Sequence, residues 1–298
     1  MTNVLWKNTA GGNWGTASDW NDDVVPNDAS DQVYLPTLTS AYTVTADGDY
    51  TVNYLEVDAK ATLSITGGQI NIDNNALGDS GTVNVGKGAT LALTGNFIGV
   101  YGSGALVVDG ALSVDTTSFA ALFNSKITLA GGSLLGSTAT VNYTENYEAT
   151  ISGYGVIGDG WSVSTGGSNN SDSVGLSLSN ANGATINANG STGKALTLDT
   201  GANWIENGGV IESTGAGGLV IESSVWQDGT LTASGTAGIT VEGSVQNGSV
   251  QLGGLGTTAY NDPAEGMIGI LFTQRMMESP QPPKVFTDFW TLAYGAME

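Results

Sequence analysis

Apolar and small polar residues alternate in short runs along most of the chain, and the runs recur as a loose repeat seen best towards the C-terminal end. One unit reads Gly209-VIESTGAGGLVIESSVWQD, the next Gly229-TLTASGTAGITVEGSVQN, and a third opens at Gly248-SVQLGG. Each unit holds two alternating runs, Val210/Glu212 then Leu219/Ile221, and Leu231/Ala233 then Ile239/Val241. Alternation with a two-residue period is that of a strand with one face buried. A period of about 20 residues with Gly, Ser, Asn and Asp at the turns predicts stacked solenoid coils and not a helical repeat. The expected fold is all-β: a single right-handed parallel β-helix, or β-solenoid, of roughly ten coils over residues 45–258. At about 4.8 Å per coil this makes a rod of roughly 50 Å. Its interior should be lined by Val83, Val85, Leu91, Leu93, Leu106, Val108, Ile127, Leu129, Leu176, Leu178, Leu196, Leu198, Leu219, Ile221, Leu231, Ile239 and Val241.

The pattern changes at both ends. Residues 1–44 carry Trp6, Trp14 and Trp20, spaced among Gly and Asn, and are expected to form an aromatic cap that plugs the open end of the stack. Around residues 164–172 the run STGGSNNSD has no apolar period and reads as a loop leaving the stack. Beyond Tyr260 the glycine turns fade, four of the five methionines appear, and residues 259–298 form a non-repeat tail. Ala264 to Met277 is expected to form a short helix stopped by Pro280, Pro282 and Pro283. Met267, Ile268, Leu271, Phe272 and the Phe286–Trp290 group would then cover the last coil near Val250 and Leu252, shielding a sheet edge.

Composition narrows function mostly by exclusion. Forty-five glycines in 298 residues follow no collagen triplet, and an apolar share of 40% is too high for a disordered low-complexity chain. Seven Lys plus Arg against 28 Asp plus Glu give a net charge of −21. Neutralising phosphates needs cationic side chains, so no nucleic-acid partner is expected, and an anionic membrane surface repels the chain. No apolar run is long enough for a transmembrane helix, so no membrane insertion is expected, and the opening MTNVLWKNTAGG does not read as an ordinary signal peptide. Cysteine and histidine are absent, which removes disulfides, thiolate sites, the commonest zinc ligand and the usual general base.

The opening carries an early Trp6, then Gly12-Asn-Trp14-Gly-Thr-Ala17-Ser-Asp-Trp20, Val25-Pro26, Asp31 and Val33 before the first Thr/Val coils. It resembles the opening of large bacterial surface and secreted proteins, parallel β-helices of autotransporter-passenger or adhesin type. Some relatives of that type carry hedgehog/intein-type domains. The resemblance implies a passenger-like part of an adhesin or matrix component, located outside the cell or on the bacterial surface. It departs from that pattern in having no cysteine for self-processing and no terminal amphipathic strands for an outer-membrane barrel.

Catalytic chemistry has little to work with. Uronate lyases need cationic groups to stabilise a carboxylate while an α-proton is removed, and the coils supply Lys60, Lys87, Lys126 and Lys194 with no arginine. A glycosidase needs only two well-placed carboxylates. Glu212, Glu222 and Glu242 lie in alternating runs and read as outward strand residues. No catalytic residue and no obligatory cofactor are expected. Calcium is the one candidate ion, at Asp19, Asp22, Asp23, Asp28 and Asp31, because it needs six to eight oxygens from acidic loops; ordinary turn chemistry explains the same residues. Glycan contact is the candidate for Tyr143, Tyr147, Tyr154 and Trp161, a group beside the 164–172 loop, where binding sites tend to sit. The expected function is that of a non-enzymatic extracellular or cell-surface protein whose partners are surface glycans or surface proteins. The alternatives are a carbohydrate-active β-helix (glycosidase or tailspike-like glycan binder) and a purely structural spacer.

Overall fold

The computed structural model of the chain describes residues 2–136, 141–158, 163–164, 173–247, 250–252, 258–262, 267–271 and residue 289. Its named elements are strands, apart from one 3₁₀ turn at Ala17–Asp19. Most strands pair in parallel with the strand one coil earlier, as expected of a β-solenoid. In a representative coil, Tyr54–Val57, Ala61–Ile65 and Gln69–Asp73 stack on Asp31–Leu35, Tyr42–Ala46 and Tyr50–Val52 of the coil before. The solenoid therefore has three faces. About eight turns carry the winding, against the roughly ten expected. The unit of about 20 residues holds for the early and the last coils and lengthens between them, where buried amides in register on successive coils lie 34, then 27, then again 20 residues apart.

Parallel pairing starts ahead of residue 45. Thr2–Leu5 lies on Asp31–Leu35 and Gly12–Asn13 on Tyr42–Ala46. The third side of this first coil is closed by residues 14–27. Trp14 donates its indole N–H to the Pro26 carbonyl at 3.1 Å, and Asn27 Oδ1 accepts from the Thr51 backbone N–H at 2.8 Å. Trp6, Trp14 and Trp20 are buried. Trp20 meets each of the other two edge to face with centroids 4.9 Å apart, the arrangement that aromatic quadrupoles favour.

The core is built of columns, one residue per coil. On the second face Val44, Leu63, Val83, Leu106, Ile127, Ile151, Ile186, Ile211 and Leu231 lie in register. On the third face Ile70, Leu91, Leu112, Leu134, Ile157, Leu198 and Ile221 do the same. Each such side chain contributes about 1.5–3 kcal/mol by leaving water. The predicted interior residues from Val83 to Leu231 are buried, while Ile239 and Val241 are half-buried against the core.

The first face breaks this rule. Its inward column runs Val33, Leu55, Leu77, Val100 and Leu122, then changes to Asn146, Asn180, Asn207 and Gln227. All four amides are buried. They form a ladder in which Nδ2 of Asn146 donates to Asn180, Asn180 to Asn207, and Asn207 to Gln227, at 2.8, 2.8 and 3.0 Å. Asn180 and Asn207 also donate to the Val210 and Thr230 carbonyls, tying each corner to the following strand. Period-2 reasoning does not find this ladder, because an inward Asn looks like an interruption of the apolar pattern.

In the tail, Met267–Leu271 is a strand paired antiparallel with Thr258–Asp262, and this corrects the helix expected over Ala264–Met277. Ile268 and Ile270 alternate about Gly269, a pattern suited to a strand, and an interior glycine costs a helix about 1 kcal/mol. Phe272, the Phe286–Trp290 group apart from Phe289, and the segment 165–172 of the expected loop fall outside the described residues. The coil that spans this loop is the longest of those measured, with Asn146 and Asn180 34 residues apart.

Candidate binding groove

The five N-terminal aspartates are spread over separate turns. Asp19 Oδ1 accepts from Asn8 Nδ2 at 3.0 Å, and Lys7 Nζ donates to Asp23 Oδ1 at 2.7 Å. Asp28 accepts from the Ser30 backbone N–H at 2.9 Å; the Ser30 hydroxyl and that N–H hold the Asp28 carboxyl below the usual carboxylate range. Asp31 Oδ2 accepts from the Asn27 N–H at 3.2 Å, and Asp22 is exposed on a turn. Among the described residues, no group of three or more acidic, His or Cys side chains converges to hold a metal ion. Asp28 and Asp31 are engaged in the local turn bonds that Asp favours, and Asp19 and Asp23 in contacts with Asn8 and Lys7.

Of the four aromatic residues expected to act together, the two whose side chains are described, Tyr147 and Tyr154, lie apart. Trp161 falls outside the described residues, and of Tyr143 only the backbone is described, paired with Phe119 and Ser177. Tyr147 stands on the first face, 43% exposed, with its ring 5.3 Å from Phe123; Phe123 in turn stacks on Tyr101 at 5.1 Å. Tyr101, Phe123 and Tyr147 thus form an aromatic column on three successive coils. The signal in the sequence was an aromatic residue recurring once per coil, readable only once the coil lengths are known. Tyr154 lies beyond the next corner.

Tyr154 borders a groove that crosses the corner between the second and third faces. The groove has a volume of about 450 Å³ and is lined by Gly88–Thr90, Asp109–Ala111, Gly131–Ser133 and Val156 from four successive coils. Small residues stand there because the coils pack backbone to backbone. A Cβ on Gly110 would collide with the carbonyl oxygens of Ala89 and Gly86, and one on Gly132 with that of Gly110. Above this floor, a methyl-sized group on Gly131 would sit 3.1 Å from Tyr154 Cε2 and 3.5 Å from Asp109 Oδ1. Ring and carboxylate therefore flank one point. Lys194 lies across Tyr154, its Nζ 3.3 Å from the phenol oxygen and 4.5 Å from the ring centroid. Asp109 and Lys194 are exposed. Sequence reasoning found Tyr154 but not Asp109, Lys194 or the groove floor, since these residues are spread from Gly88 to Lys194 and meet only through the stacking of coils.

One further ionisable group is unusual. Asp79 is buried at the end of an inward column, with Oδ1 lacking a hydrogen-bond partner. Burial pushes its carboxyl up to about 6, against a smaller lowering by the Gly81 backbone N–H. It faces the interior and not the groove. No known protein family, curated protein or solved structure matches the chain, so its function rests on this geometry.

Proposed function

We propose that the chain is the rod-forming part of a non-enzymatic extracellular or cell-surface protein, passenger-like in an adhesin or matrix component. The observation that carries this reading is the side surface of the solenoid. Its recognition features, the Tyr101–Phe123–Tyr147 column and the Tyr154 groove, lie open on the flanks of a repetitive stack. Among the described lining residues Asp109 is the one carboxylate, where glycoside hydrolysis takes a pair about 5–9.5 Å apart. The charge of −21 keeps such a rod soluble and resists lateral association. A tailspike-like glycan binder is the second reading, favoured by the same groove.

Two measurements test the proposal. Antibodies raised to the purified chain should label intact source cells or their medium; labelling that appears only after lysis ends the surface assignment. Incubation with a panel of bacterial and plant polysaccharides should release no reducing ends. Release would replace this reading with that of a glycosidase.

A further inference from the structure

We infer that the groove beside Tyr154 is a binding site for an uncharged oligosaccharide, laid across the coils with Asp109 accepting its hydroxyl hydrogens and the Tyr154 ring against a sugar face. This inference deepens the surface-protein reading and rests on it. The volume of about 450 Å³ falls within the range of small-ligand sites. The lining supplies a carboxylate able to accept two hydroxyls and the hydroxyls of Thr90 and Ser133, and beside it, next to Gly131, stand the Tyr154 ring and the Lys194 ammonium that lies across it.

Other ligands fit less well. A peptide adding itself as a strand needs unpaired backbone groups, but in the groove the Ala89, Gly110, Ala111 and Ser133 N–H groups already donate to backbone carbonyls of the same or the preceding coil. A polyanion would meet the Asp109 carboxylate on a chain of net charge −21. The Asp109 carboxylate in the lining and the Lys194 ammonium on the bordering Tyr154 ring offset one another, which suits a neutral ligand. Tyr147, on another face, takes no part.

The test is calorimetric titration of the full chain with cellohexaose, mannohexaose and chitohexaose, with polygalacturonate as the anionic control. At least one neutral hexasaccharide should bind. Asp109→Asn and Tyr154→Ala should each weaken it about tenfold, the effect of losing a hydrogen bond to a charged group or a packed ring. Tyr147→Ala should leave it unchanged. Asp109 is exposed, so its variant keeps the fold even where Tyr154→Ala does not. The inference is overturned if none of the three binds, if Asp109→Asn binds as well as the parent, or if polygalacturonate binds more tightly. Each of these leaves the cell-labelling result untouched, so failure of the site and failure of the surface assignment are told apart.

Discussion

At position 79 a carboxylate takes the inward place that Leu35 and Val57 hold in the two preceding coils. Its folded-state value of about 6 lies above the ordinary 3.8, so the folded protein holds this proton more tightly than the unfolded chain does. The contribution of Asp79 to stability should therefore be greatest below about pH 4, fall as pH rises towards 6, and stay lower beyond it, by up to about 3 kcal/mol. Asp79→Asn removes the ionisation. Urea denaturation at pH 7 should show the variant more stable by about 1–3 kcal/mol, and the fall between pH 4 and 6 should flatten. An unchanged pH profile would place the cause of any such fall elsewhere.

Within one strand column, the amide ladder predicts unequal costs for similar substitutions. Asn207 donates to both Gln227 Oε1 and the Thr230 carbonyl, and accepts from Asn180. Asn207→Leu thus strands a buried acceptor on Gln227 and breaks a donor's bond on Asn180, costing about 2–4 kcal/mol. Gln227 ends the ladder with Nε2 already unpartnered. Gln227→Leu removes that group and leaves Asn207 its bond to Thr230, so it should cost less than about 1 kcal/mol. Replacing all four amides with leucine should cost less than Asn207→Leu, because the amides then leave together and only the Val210 and Thr230 carbonyls lose a donor. Chemical denaturation of the three variants measures the ordering, and equal losses in the two single variants would mean that the ladder does not act as a chain.

Over the whole molecule, charge opposes the compact stack. Acidic side chains outnumber basic ones 28 to 7, and the coil geometry sets some of them one above another. Asp199, Glu222 and Glu242 directly follow the in-register residues Leu198, Ile221 and Val241. Some desolvation by its neighbours, then the Asp199 carboxylate and its hydrogen bond, then Glu242, hold the carboxyl of the exposed Glu222 above the usual range. Salt screens such exposed repulsion, so the melting temperature should rise between about 0.05 and 0.5 M NaCl at pH 7. The same salt series at pH 4 should give a smaller rise, as Glu222, held above the usual carboxylate range, takes up its proton. A melting temperature that falls with salt at pH 7 would show that ion pairing outweighs repulsion.

The sequence by itself determined the alternating strands of the stack, their apolar inward residues and the stacking of coils, but not the inward amides of the first face or the Met267–Leu271 strand. Alternation of Leu or Ile with Thr or Ser is a local property, and a two-residue period leaves only one face to bury, so Leu106, Ile127 and Leu231 were legible as core. Buried tryptophans at the N-terminal end followed from the same reasoning about ring size. Tertiary structure alone decided which residues share a column, because register depends on coil length, and coils that vary in length place Asn146 on Asn180 and Asn207 on Gln227 without any fixed spacing. It also decided that Tyr147 and Tyr154, seven positions apart, face different ways, while Asp109 and Tyr154 flank one glycine. A corner in the backbone turns neighbours apart, and ladder hydrogen bonds bring distant residues together.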